Sequence, residues 1–112
     1  MASICDRVLA VDRRIGFVML VDANGEIVES KLRGRRLMTD DTIATYTGMW
    51  TMLIRGIARQ MEKFLGSNQF YSLGYEKLMV HGVTVGDETI VITSRRDLPL
   101  ETVLGLRRIS ET

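Results

Sequence analysis

Apolar residues recur at Ile4, Val8, Val11 and Ile15, the i, i+4, i+7, i+11 spacing of one helix face. Ser3, with Asp6 three residues behind it, marks a capped start, and Gly16 is the expected stop. The pattern then changes to an unbroken apolar run, Phe17 to Val21. A turn signal follows in Asp22-Ala23-Asn24-Gly25, and then a more polar stretch, Glu26 to Lys31. This predicts a short amphipathic helix and then a β-hairpin, with its first strand buried on both faces and its second nearer an edge.

Thr39, Asp40 and Asp41 offer an N-cap and two carboxylates for a first turn, and helical periodicity then continues to Gly66, the expected C′ glycine. The segment is one helix of about seven turns. Gln69 to Tyr75, Leu78 to Val85 and Thr89 to Thr93, separated by Glu76-Lys77 and Gly86-Asp87-Glu88, predict a three-strand meander. Asp97 and Pro99 open a last helix, whose faces are set by Leu100, Val103, Leu104, Leu106 or Arg107, and Ile109.

The order is α-β-β-α-β-β-β-α. Short connections favour a five-stranded antiparallel sheet with helices on both faces, an α/β (α+β) domain spanning residues 1–112. The layout, the hairpin Ile15-Gly16-Phe17-Val18-Met19-Leu20-Val21-Asp22-Ala23-Asn24-Gly25-Glu26-Ile27-Val28, the long central helix and the Val85-Gly86-Asp87 turn before an apolar strand resemble the Roadblock family of dynein-light-chain-like proteins. Longin, profilin-like and PAS-like domains share parts of this layout. The Roadblock resemblance implies a sheet ordered 2-1-5-4-3, with the long helix on one face and the terminal helices on the other. It also implies dimerisation through the long helix and the third strand, and a role as platform or regulator for small Ras-like GTPases. The basic connection from Lys31 to Arg36 departs from a minimal member of that family.

Composition narrows the function classes. Fifteen Lys and Arg balance fourteen Asp and Glu, so the net charge of +1 provides no overall field for nucleic acid or an anionic membrane. The chain has 46% hydrophobic and 26% charged residues, near globular averages, and its longest apolar run is far short of a membrane span. With a single cysteine and no secretory signal pattern, the expectation is a cytoplasmic protein with no stable membrane insertion.

Catalytic raw material is thin. His81 alternates with Met79, Val83 and Val85 in a strand, which reads as a packed structural histidine, and Cys5 has no basic partner at i+3 or i+4 to lower its thiol pKa. One His and one Cys cannot form a metal site alone, and Asp22 to Glu26 matches a calcium loop too briefly to be one. No phosphate-binding glycine motif is present. The chain is therefore expected to be no enzyme and to carry no cofactor.

The long helix carries the main signal. At about 100° per residue its apolar positions fill half the circumference, more than one sheet face needs. Ile43, Trp50, Ile54, Ile57 and Met61 are assigned to the sheet. Met49, Met52, Leu53, Gly56 and Gln60 are left as a shoulder for a partner, and Thr51, Arg55, Arg59, Glu62 and Lys63 form the polar arc. Gly48 and Gly56, costly inside a helix, suggest close approach of a neighbouring helix. An open edge as apolar as Phe70-Tyr71-Ser72-Leu73 is an aggregation liability unless paired, so Phe70, Tyr71 and Leu73 join the candidate dimer interface.

A second candidate surface follows from topology. If the first strand is antiparallel to the second and fifth, Arg13 and Arg14 converge with Arg33, Arg35 and Arg36 and with Arg95 and Arg96 at one end of the sheet. Asp22, Glu26, Asp87 and Glu88 collect at the other end. The basic rim is a docking candidate for an acidic protein such as a GTPase. Neutralisation by Asp12, Asp40, Asp41 and Asp97 is the competing reading. Two functions are thus carried forward: a homodimeric adaptor, and a small-ligand sensor with Tyr46, Trp50, Met61 and Phe64 around a cavity.

Overall fold

A computed structural model describes residues 3–33 and 40–110. Its elements are α1 (Ile4–Val11), β1 (Ile15–Val21), β2 (Ile27–Leu32), α2 (Asp40–Leu65), β3 (Phe70–Gly74), β4 (Met79–Val85), β5 (Glu88–Ser94) and α3 (Leu100–Ser110). The five strands form one antiparallel sheet in the order β2-β1-β5-β4-β3. Fold class and strand order are those the sequence led us to expect.

Local chemistry accounts for most element ends. Ser3 and Asp6 form a reciprocal capping box at the start of α1, which satisfies backbone N–H groups that the first helical turn leaves unpaired. At the end of α2, Gly66 takes φ +88°, a conformation that favours glycine, and its N–H donates to the Glu62 carbonyl. Thr39, the expected cap of α2, lies outside the described residues. In the β1–β2 turn the Asp22 carboxylate accepts the N–H groups of Asn24 and Glu26, so this segment is a hairpin turn.

One boundary differs from the periodic reading. Helix α1 stops at Val11, and Ile15 opens β1. Asp12 is extended (φ −155°, ψ 137°), and its carboxylate accepts both the backbone N–H and the guanidinium of Arg14, which turns the chain before Gly16 is reached. Ile15 still enters the same core, from a strand.

The sheet has two unlike faces. Val18, Leu20, Val83, Ile90 and Ile92 point to one side, where α1 and α3 cover them with Cys5, Val8, Val103 and Leu106, joined by Leu98 from the β5–α3 connection. This is the main core, and its wholly buried aliphatic side chains each contribute about 1.5–3 kcal/mol. The opposite face, below α2, has a smaller cluster of Met19, Val21 and Val91, bordered by Phe17, Ile27 and Val80.

Candidate functional site

The attachment of α2 to the sheet decides which of its side chains are available. Gly48 lies against the Gly25 carbonyl of the β1–β2 turn, too close for any side chain at position 48. Thr51, fully buried, shares a 3.1 Å hydrogen bond with the Tyr71 hydroxyl on β3. Arg55 grips the β4–β5 turn, donating to the carbonyls of Asp87 (3.1 Å) and Gly86 (3.4 Å) and to the Thr89 hydroxyl (3.3 Å). Farther on, the Glu62 carboxylate accepts the Asn68 N–H at 2.8 Å.

Positions 48, 51, 55 and 62 form one helical stripe, and it is small and polar. The assignment made from periodicity is therefore reversed in part. Thr51 and Arg55, expected in solvent, bond to β3 and to the β4–β5 turn, and Glu62 to the loop before β3, whereas Trp50, Ile57 and Met61, expected on the sheet, are exposed; Ile54 is half-buried, and Arg59 and Lys63 are exposed. The side chain of Ile43 lies outside the described residues. What lies below the helix are turn carbonyls and the half-buried Tyr71 phenol, which Arg55 and Thr51 can bond and an apolar stripe cannot.

The apolar stripe consequently points outward. Tyr46, Met49, Trp50, Leu53, Ile57, Met61 and Phe64 are all exposed, Met49 and Ile57 at 63% and Phe64 at 70%. Of the expected shoulder, Met49, Met52, Leu53, Gly56 and Gln60 are exposed as well. Gly56 has open space around it, whereas Gly48 is explained within the chain and asks for no neighbouring helix. Tyr46, Trp50, Met61 and Phe64, the residues of the sensor reading, lie on this surface and do not enclose a cavity. Two open depressions of about 310 and 290 Å³ lie instead on α3 around Leu104 and Arg108.

Among the described residues strand β3 pairs with β4 only, which leaves its other edge without a strand partner. Its three candidate side chains divide between the faces. Phe70 packs at the margin of the main core, while Tyr71 and Leu73 lie on the α2 side opposite Gly82 and Val80. The Tyr71 ring is spent within the chain, covering Gly82 and holding Thr51, so β3 offers a partner its backbone edge more than that ring.

At the far end of the sheet, Ile15 pairs with Ser94 and Phe17 with Leu32, so the beginning of β1 meets the ends of β2 and β5. Arg33 N–H donates to the Gly16 carbonyl (2.7 Å) and Arg95 N–H to the Arg14 carbonyl (3.0 Å), which brings the basic segments together. Their charges are not equivalent. Arg14 pairs bidentately with Asp12 and reaches Asp97 at 3.7 Å, and its guanidinium holds the Asp12 carboxyl down at about 2. The Arg33 guanidinium donates to the Leu9 carbonyl. Arg13, Arg95 and Arg96 are exposed, and Arg35 and Arg36 lie outside the described residues.

Elsewhere, His81 and Cys5 are the groups with chemical potential, and both are buried. Ser72 Oγ and His81 Nδ1 lie 2.6 Å apart across β3 and β4, and His81 Nε2 is buried without a partner. Burial lowers the His81 pKa. Cys5 is enclosed in the main core; burial first, and then the nearby Glu29 carboxylate, push its thiol up to about 12. Among the described residues no group of His, Cys, Asp and Glu could hold a metal ion, and no helix is long and apolar enough to cross a membrane.

No protein-family model matches the chain, and no curated protein matches it. Solved structures do. MglB of Myxococcus xanthus superimposes with a TM-score of 0.74 at 22% identity, over 96% of this chain and 86% of that one. A Roadblock/LC7 domain from Streptomyces avermitilis gives 0.75 at 6% identity, over 96% and 90%. An MglB in a tetrameric arrangement gives 0.65 at 18% identity, over 99% and 93%. At these identities the likeness is one of architecture, and by its architecture the chain has the Roadblock/LC7 fold.

Proposed function

We propose that the chain is a non-catalytic adaptor that works as a homodimer, with the outward stripe of α2 and the free edge of β3 as its self-association surface. The observation that carries this reading is the orientation of α2. A helix that turns its polar stripe to its own sheet and leaves Trp50, Leu53, Ile57, Met61 and Phe64 in water is short of a cover, because contiguous exposed apolar surface of this kind marks an interaction site. A second copy is the simplest occupant. It brings an identical stripe, and a two-fold axis through the helices also sets one β3 edge beside the other.

One MglB with this fold adopts a tetrameric arrangement, which shows that the architecture is compatible with self-association. A small Ras-like GTPase is the class of partner that the resemblance to the Roadblock family implies, and the adaptor reading places it on the composite surface of the dimer. Sedimentation equilibrium at micromolar concentration tests the core of the reading. The wild type should be a dimer, and Ile57→Glu or Gly56→Trp should shift it to monomer with unchanged circular dichroism. A monomeric wild type, or two variants as dimeric as the wild type, would sink it.

A further inference from the structure

The dimer surface leaves the opposite end of the sheet unexplained. There the chain carries an arginine cluster whose members differ in what they are already bonded to. Arg14 is consumed by Asp12 and Asp97. That pairing has a positional effect: its Nη1 also donates to the Asp97 carbonyl at 3.1 Å, so the loop after α1 is tied to the loop after β5. Arg13 stands on the first loop, and Arg95 and Arg96 on the second. All three side chains are exposed, and none makes a hydrogen bond or ion pair among the described residues. Arg33 adds its charge from the end of β2, about 10 Å from β5 with β1 between them, which is within about one Debye length at moderate salt.

We infer that this end of the sheet, centred on Arg13, Arg95 and Arg96 with Arg33 beside them, is a docking surface for a carboxylate-rich segment of another protein. Guanidinium groups without partners keep all their donors open, the tied loops fix the backbone that carries them, and their forked donors match carboxylates bidentately. Val11 and Leu100, half-exposed at the adjoining ends of α1 and α3, add apolar contact at the same rim. An anionic membrane fits less well. Asp97, Glu76 and Glu101 are exposed around the rim and would be pressed toward lipid headgroups, and two aliphatic side chains give little to insert. An acidic polypeptide can place its carboxylates between these groups.

The test uses the full chain and a fluorescein-labelled oligoglutamate peptide, followed by anisotropy across a salt series. The wild type should bind, and more weakly as salt rises. R13E/R95E/R96E should lose at least about tenfold in affinity at low salt, and R108E, on the far end of α3, should stay near the wild type. R13Q/R95Q/R96Q, which removes charge without adding any, should fall between; it decides the matter if the reversed variant fails to fold. Equal binding by the wild type and the glutamine variant, or an equal loss in R108E, would overturn the proposal. So would arginine-dependent retention on phosphatidylserine vesicles without peptide binding, or salt-sensitive self-association that displaces the peptide. Sedimentation of the same variants keeps the two readings apart, since a monomer that still binds the peptide defeats the dimer alone.

Discussion

The ring of Tyr71 on β3 occupies the space that a side chain on Gly82 of β4 would fill. The two residues are directly paired across the strands, and the ring continues past the glycine to put its hydroxyl on Thr51 of α2. The absence of a side chain on one strand thus lets a residue of the next strand hold the helix above both.

Gly82→Ala should therefore displace the Tyr71 ring and break the Thr51 contact. A cost of about 1–3 kcal/mol is expected, typical of overpacking. Tyr71→Phe keeps the ring but leaves the buried Thr51 hydroxyl without this partner, at a comparable cost of about 1–3 kcal/mol. Urea denaturation of both variants checks the relation. Because the two substitutions act on one contact, the double variant should lose less than the sum of the singles.

Two glycines of α2 should respond oppositely to the same change. Helix propensity alone favours Gly→Ala by about 1 kcal/mol. At Gly56, with nothing near, that gain should appear as raised stability of the monomer. At Gly48 the new methyl meets the Gly25 carbonyl, a backbone group that cannot swing aside, and the variant should be less stable than the wild type despite the propensity gain. Thermal unfolding of the pair decides this, best on an Ile57→Glu background if the wild type dimerises.

Folding stability should fall on mild acidification because of His81. Its folded pKa is depressed below 6.5 by burial, so between the two values the unfolded chain binds more protons than the folded one. The contribution is whole above 6.5 and is lost as pH falls from there through the lowered folded value. Asp12 is the carboxylate counterpart: its contribution is whole above 3.8 and fades only as pH drops from there through about 2. A denaturation series against pH should show the first limb in the wild type and not in His81→Gln.

Cys5 should resist alkylation in the folded protein. Its thiol is enclosed and stays protonated at neutral pH, whereas the thiolate is the reactive form. Iodoacetamide labelling should track denaturant concentration, and fast labelling under native conditions would contradict the burial described above.

The order of elements and most of their ends were legible in the sequence, because they follow from local chemistry. Ser3 with Asp6 caps α1, the Asx turn at Asp22 closes a hairpin, and Gly66 ends α2, each through groups a few residues apart. The convergence of Arg13, Arg33 and Arg95 was legible too, since antiparallel pairing places strand ends by topology alone. Which arginine would be neutralised was not: Asp12 and Asp97 both stood as candidates, and only the folded chain sets Asp12 bidentately on Arg14 with Asp97 beside it, leaving Arg95 and Arg96 to solvent. The face that α2 presents was likewise beyond the sequence. Periodicity defines an apolar arc and a polar arc but is silent on which one meets the sheet. That was decided by the surface waiting below the helix, where the Gly25 carbonyl excludes any side chain from position 48, the carbonyls of Gly86 and Asp87 draw Arg55, and Tyr71 takes Thr51. Each of these partners comes from a different strand connection or strand. Only the assembled sheet could set them side by side and turn Trp50, Ile57 and Phe64 outward.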